Sequence, residues 1–317
     1  MEIAAKNYKL KKGMYPEIWD TFERIAMTLN LKDSEFADML LLTQHELLKF
    51  REHKKDLPFI KLFNLSERLN ISFDSIITGK IDYQALAQHY FGNLTYLPEK
   101  YSNCKLGRRR SSVMILNFIE TNFGWKERLS VLRRFQLNEA IFAKPDEPIS
   151  FDFNSELLDY LVKYKIDKNF LPKIGIQSFL KTYPLAVKNE LNGCTDVGEI
   201  YERFCDQIIE KYFEKNFQYK IEKMRHDSCI VIATPNQDLI ETLKNNTPGS
   251  SITSLYRLGV ASIYPGIIGL PQATARQTAS IYDGAPYIRY EINYEKAQTI
   301  YSRRIREFGR DSQIPLN

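Results

Sequence analysis

The stretch that decides the fold is residues 31–58, which read LKDSEFADMLLLTQHELLKFREHKKDLP. Phe36, Met39 and Leu40 follow the i, i+3, i+4 spacing that gives a helix one apolar face. Thr43 then precedes a second segment with helical spacing, and threonine is a favoured residue at a helix N-cap. The stretch therefore predicts two short helices joined by a tight turn.

The second of these helices, from Gln44 to about Glu52, is predicted to present a polar surface. Leu47 and Phe50 would face inward, which leaves glutamine, histidine and lysine side chains outside. Such a helix, with basic residues just beyond its end, suits contacts to base edges in the major groove and to phosphates. The predicted DNA-contacting residues are Thr43, Gln44, His45, Leu48, Lys49, Lys54 and Lys55.

On these residues, the segment 16–82 resembles the lambda-repressor-like (XRE-type) helix-turn-helix DNA-binding domain. The family has a small residue in the first helix, a turn, a capping residue and a polar recognition helix, matched here by Ala37, 41–42, Thr43 and 44–49. Segments 58–71 and 72–79 resemble the family's fourth and fifth helices. The resemblance implies a five-helix domain that binds double-stranded DNA.

The sequence departs from the family pattern at three positions. Leu41 stands where the family usually has glycine, and Arg51 and His53 stand where glutamate and glycine are usual. A positive φ is costly for a leucine. Two alternatives therefore stay open: either the turn differs, or the unit no longer reads DNA and serves as a protein–protein interaction or scaffolding module.

Composition sets broad limits on the function. The 317 residues are enough for two domains, and the net charge of +5 permits nucleic-acid binding without arguing for it. The four cysteines are scattered, with no CxxC pair, which favours reduced thiols over a disulfide framework or a zinc site. No apolar run is long enough for a membrane span. We expect a cytoplasmic protein.

The remaining chain predicts a second, mixed domain. Alternating apolar residues at 217–222 and 229–234 predict one antiparallel hairpin, and 277–282 with 287–294 predict another. A longer helix near 251–264 would cover them. The predicted fold class is mainly α: an N-terminal five-helix domain and a C-terminal α+β domain with a small antiparallel sheet. The predicted boundaries are a basic arm 1–15, the helix-turn-helix domain 16–82, a linker 83–110, the α+β sensor or dimerisation domain 111–300 and a basic tail 301–317.

Residues 200–294 resemble the vinyl-reductase-type (heme-NO-binding-like) small-molecule sensor domains. The resemblance lies in a long helix followed by the run GAPYIRYE at 284–291, and it implies a ligand sensor. Ile288 stands where such domains often have cysteine, so no metal and no cofactor are carried over. The alternative is a general α+β dimerisation domain.

A cluster of tyrosines and arginines near the predicted sheet suggests where a ligand would bind. Apolar walls with a few hydroxyl and guanidinium groups suit a small apolar or amphipathic molecule, although aromatic side chains also serve as plain core. The predicted ligand-binding residues are Tyr256, Arg257, Tyr264, Tyr282, Tyr287 and Arg289.

Enzymatic activity has no positive support in the sequence. There is no Walker loop, dinucleotide glycine fingerprint, HExxH or GxSxG motif. His226, Asp227 and Cys229 lie close together on one predicted turn, where neighbouring side chains rarely converge. We therefore expect a homodimeric, sequence-specific transcriptional regulator that is not an enzyme. An enzyme of small-molecule metabolism fused to a DNA-binding domain stays open as a further alternative.

Overall fold

The computed structural model describes two compact units, each made of two chain segments. The first unit comprises 1–97 with 123–144, and the second comprises 98–122 with 145–317. The residues that the structure describes are 15–53, 57–92, 97–102, 105–182, 185–194, 196–237 and 249–294. The predicted basic arm (apart from Tyr15), the basic tail, Lys54 and Lys55 lie outside them.

The first unit is helical. Its core consists of apolar side chains at helical spacing, such as Phe22, Ile25, Phe36 and Leu65, each almost completely buried. The helices are α1 (Tyr15–Thr28), α2 (Asp33–Met39), α3 (Gln44–His53), α4 (Phe59–Leu69), α5 (Phe73–Thr78), α6 (Tyr83–Phe91) and α9 (Trp125–Arg134), with a 3₁₀-helix at Glu139–Ala143.

The first unit extends beyond the predicted domain 16–82, and the predicted linker is not a connector throughout. Helix α6 buries Tyr83 and Leu86 in the core of the first unit and packs on the 3₁₀-helix 139–143. A buried ion pair between Arg128 and Glu139 lies beside them. The sequence could not show this, because the partners of α6 follow some fifty residues later in the chain.

The second unit is a helical layer on a small antiparallel sheet. Besides this four-stranded sheet, the unit contains two short strands, β1 (Gly107–Arg108) and β2 (Pro148–Ile149), which pair with each other. The helices are α7 (Glu99–Ser102), α8 (Arg109–Phe123), α10 (Phe151–Tyr164), α11 (Leu171–Thr182), α12 (Leu185–Glu190), α13 (Val197–Arg203), a π-helix (Phe204–Phe213) and α14 (Ser251–Ser262), with 3₁₀-helices at Lys168–Phe170, Tyr264–Ile268 and Ile281–Asp283.

The sheet contains two hairpins close to the predicted positions, but the first strand of the second one lies at 274–279 instead of 277–282, because 281–283 form a 3₁₀-helix. Strands β3 (Phe217–Met224), β4 (Ser228–Pro235), β5 (Thr274–Ala279) and β6 (Ile288–Asn293) are antiparallel in the order β3-β4-β6-β5. Side chains alternate between the two faces of a strand, and on β6 the buried residues are Ile288, Tyr290 and Ile292. This face carries the core of the second unit. Among the described helices, none is both long and apolar enough to cross a bilayer.

The buried thiol of Cys229 makes the stability of the second unit sensitive to alkali. Burial raises the pKa of this thiol to about 12, whereas an unfolded thiol ionises at about 8.5. Because the pKa is higher in the folded state, the contribution of the protonated thiol to the free energy of unfolding is complete below about pH 8.5. It is lost as the pH rises towards 12.

We therefore expect Cys229→Val, which removes the titrating group from β4, to flatten the alkaline loss of stability. Between about pH 8 and pH 10 the wild type should lose about 2 kcal/mol more free energy of unfolding than the variant, at 1.36 kcal/mol per pKa unit. Urea denaturation at both pH values measures the difference. Equal losses in the two proteins would contradict this assignment.

Candidate functional site

The first candidate site is the surface formed by α2, α3 and the turn between them. Leu41 adopts a left-handed conformation with φ of 51°, although leucine is disfavoured there. Its amide donates to the carbonyl of Asp38 at 3.0 Å, and the amide of Leu42 donates to that of Ala37 at 2.9 Å. Lys61 Nζ donates to the Leu41 carbonyl at 2.5 Å. The leucine therefore takes the conformation for which glycine is normally used.

The start of α3 is held by a reciprocal capping box between Thr43 and Glu46. The amide of Glu46 donates to Thr43 Oγ1 at 3.2 Å, while the Thr43 amide and hydroxyl donate to Glu46 Oε2 at 2.7 and 2.8 Å. These hydrogen bonds hold the pKa of the Glu46 carboxyl below its ordinary value, the backbone bond contributing most. Thr43 is thus the predicted cap, and its hydroxyl is engaged within the helix end.

The polar side chains predicted to contact DNA are exposed. Gln44, His45 and Lys49 are open to solvent, whereas Leu47 is completely buried in the core. Leu48 is 38% exposed. The surface can therefore approach a macromolecule, and DNA contact by these residues stays a prediction.

An apolar patch lies on the same unit, on helix α4. Phe59 is 63% exposed, Ile60 55% and Phe63 41%. The ring of Phe59 stacks on that of Phe63 with centroids 6.4 Å apart and meets the ring of Phe73 at 4.7 Å. Exposed aromatic clusters of this kind are typical of protein-binding surfaces.

The second candidate site is a cavity of about 90 Å³ in the second unit. Its walls come from α8, α10, α11, the π-helix, α14 and the inner face of the sheet. Most lining side chains are apolar or aromatic. An apolar cavity with a few polar groups is the usual form of a small-molecule site.

Three of the six predicted ligand-binding residues line this cavity: Tyr256, Arg257 and Tyr264. The other three do not. Tyr282 hydrogen-bonds to Thr253, and Tyr287 is half-buried elsewhere. Arg289 lies on the outer face of β6, paired with Glu222 at 2.9 Å and Glu291 at 2.7 Å. Arg289 faces outward because side chains alternate along a strand, and its neighbours Ile288 and Tyr290 occupy the inner face.

The polar end of the cavity is a compact group around Glu214, which sequence reasoning missed. Arg257 Nη2 lies 2.6 Å from Glu214 Oε2, and both side chains are only 11% exposed. Asn216 Nδ2 donates to the same oxygen at 2.8 Å, and the Tyr219 hydroxyl donates to Oε1 at 2.7 Å. Glu214 directly follows the π-helix. It is one of many acidic residues in the sequence, so no local pattern identifies it as a site residue.

The tyrosines of the cavity are neutral hydrogen-bonding groups at physiological pH. Burial raises the pKa of Tyr290 to about 12. Burial likewise raises the pKa of Tyr219, Tyr256 and Tyr264 above the ordinary tyrosine value. These hydroxyl groups therefore add polarity to the cavity and no charge.

The π-helix forms one wall of the cavity and follows directly after α13. Its hydrogen bonds run from residue i to i+5, a rare geometry that is frequent at functional sites. Cys205, Ile209 and Phe213, four residues apart, line the cavity. No residue pattern in the sequence predicts the change from α-helix to π-helix, because the choice between the two hydrogen-bonding patterns depends on packing.

The histidine, aspartate and cysteine near the first hairpin turn do not form a catalytic group. His226 is exposed and lies 3.4 Å from Asp227, whereas Cys229 is buried in the core. Among the described residues, no three His, Cys, Asp or Glu side chains are grouped so as to hold a metal ion.

Comparison with known proteins yields structural similarity alone. No protein-family model matches the sequence, and no curated protein sequence matches it. A crystal structure of the Fe(II) unliganded H-NOX protein from K. algicida superposes with a TM-score of 0.45 and 13% identity, over 60% of this chain and 97% of that one. A point mutant of that protein gives a TM-score of 0.42 at 14% identity, with the same coverage.

A point mutant of Tt H-NOX gives a TM-score of 0.41 at 10% identity, over 60% of this chain and 95% of that one. At these scores and identities, the similarity carries no argument about function.

Proposed function

We propose that this protein is a cytoplasmic, homodimeric DNA-binding transcriptional regulator whose second unit binds a small molecule. The observation that carries the DNA-binding half is the pair α2 and α3. Leu41 adopts the left-handed conformation in the turn, and Thr43 caps α3. Gln44, His45 and Lys49 are exposed at the start and middle of α3. This agrees with an XRE-type helix-turn-helix. In a dimer, two such helices would enter major grooves about one helical turn apart.

The sensing half of the proposal is supported by the cavity. Ligand binding would change DNA binding only if the ligand had different affinities for two arrangements of the protein.

The test of DNA reading is Gln44→Ala. Gln44 is the first residue of α3, where a side chain reaches a base edge, and glutamine pairs bidentately with adenine. The variant should lose about 1–3 kcal/mol of binding free energy and relax the preference at one or two base pairs. Binding-site selection from random DNA measures this, and a dimer predicts inverted half-sites.

The matched control is Gln177→Ala, an exposed glutamine on α11 in the second unit, which should select the wild-type motif. If Gln44→Ala also selects that motif, direct readout by Gln44 is wrong. If no motif emerges even for the wild type, sequence-specific DNA binding is wrong.

The second candidate function is protein–protein interaction or scaffolding, and the exposed patch of Phe59, Ile60 and Phe63 favours it. A DNA-binding protein is retained on immobilised duplex DNA with steep salt dependence, since phosphate contacts release counterions. Absence of salt-dependent retention would favour the interaction module.

A further inference from the structure

The charged side chains that line the cavity form one ion pair with each other. Arg257 and Glu214 are the charged side chains among the described residues that line it, and their atoms lie 2.6 Å apart. The cavity therefore has no net charge. An ionic ligand would bring an uncompensated charge into a site poor in water, which is costly.

The Glu214 carboxylate already accepts three of about four possible hydrogen bonds. Its Oε2 accepts from Arg257 and Asn216, and its Oε1 accepts from Tyr219. A ligand carboxylate bound to Arg257 would lie close to the like charge of Glu214. This repulsion weakens anion binding.

Arg257, in contrast, retains donor capacity. Its Nη2 donates to Glu214, and its guanidinium carbon lies 4.1 Å from the ring centroid of Phe217 and 4.6 Å from that of Phe151. Its Nη1 is buried and has no hydrogen-bond partner in the described part of the chain. A buried donor without an acceptor costs free energy that a suitable ligand would restore.

We propose that the cavity binds a small, uncharged, mostly apolar molecule whose single acceptor, such as a carbonyl oxygen, bonds to Arg257. The cavity volume of about 90 Å³ restricts the ligand to small molecules. This deepens the ligand-sensing half of the proposed function and rests on it.

The test uses isosteric probes and a local reporter. Butyrate has a second carboxylate oxygen where pentan-2-one has a methyl group. The third probe, n-butylammonium, is a cation of similar length. Met114 lines the cavity and is one of six methionines. Its methyl resonance, assigned with Met114→Leu, can be followed in the full-length chain labelled at methionine methyls.

Pentan-2-one should shift the Met114 resonance in a saturable way, at least tenfold more tightly than butyrate or n-butylammonium. Ala261→Leu, at another lining position, should abolish the shift by filling the cavity. Glu214→Gln keeps the shape of the side chain but leaves Arg257 with a net charge. The preference should then reverse in favour of butyrate.

Each contrary result overturns the proposal. Butyrate binding as tightly as the ketone removes the claim for an uncharged ligand. Absence of saturable ketone binding, or equal binding by Ala261→Leu, removes the cavity as the site. If Glu214→Gln does not fold, the three probes and the filling variant decide alone. The experiment contains no DNA, so failure of DNA reading is registered separately by the selection experiment.

Discussion

Gly259→Ala is expected to lower the free energy of unfolding of the second unit by about 3 kcal/mol or more, at the upper end of overpacking costs. The change is large because helices α11 and α14 touch through their backbones. A Cβ on Gly259 would overlap the carbonyl oxygen of Pro172 and lie 2.6 Å from its carbonyl carbon. Gly175 is packed likewise, with an added Cβ only 2.9 Å from the amide nitrogen of Val260.

Helix propensity acts in the opposite direction. Alanine is favoured over glycine inside a helix by about 1 kcal/mol, so an open site would gain stability. Backbone atoms cannot rotate away as side chains do, and the two helices would have to separate. Thermal unfolding should show a decrease of roughly 6–12 °C in melting temperature.

The matched control is Gly266→Ala. A Cβ there would meet only the flexible end of Ile263, at 3.2 Å, so the change should cost less than about 1 kcal/mol. Equal effects at the two glycines would show that backbone contact between α11 and α14 is not the cause. Tyr256 and Val260 of α14 also line the cavity, so Gly259→Ala should weaken binding of pentan-2-one as well.

The second large effect is expected for Glu139→Gln in the first unit. Arg128 Nε lies 2.5 Å from Glu139 Oε1, and each side chain is 3% exposed. A second hydrogen bond joins Arg128 Nη2 to Oε2 at 2.8 Å. Removing one partner of such a pair leaves a buried charge uncompensated, and we expect a loss of about 3–5 kcal/mol.

Two further variants separate this cause from a general effect of charge. Arg68→Ala breaks an ion pair with Asp38 in which the side chains are 41% and 74% exposed, and it should cost at most about 1 kcal/mol. The double change Arg128→Met with Glu139→Leu should cost much less than Glu139→Gln, because no unpaired charge remains. Urea denaturation of the full chain measures all of these. A double variant as unstable as the single one would contradict the explanation.

Local spacing was enough to predict the α2–α3 pair and the approximate positions of both hairpins. Leu47 faces inward and Thr43 caps α3, because a helix brings residues three and four apart to one face. The same period-two argument places Tyr290 inside and Arg289 outside, although the predicted ligand site included Arg289. Alternation along β6, rather than residue type, was the informative signal there.

The tertiary structure alone decided the interior of each unit. Glu214 and Arg257 are separated by 43 positions, and α6 finds its partners in the segment 139–143. The conformation of Leu41 was likewise open, since Lys61, which donates to its carbonyl, lies 20 positions further along the chain. Periodicity sets which face of an element is buried. Which buried groups meet depends on how distant segments pack, and that determined the cavity, its neutral charge and the boundary of the first unit.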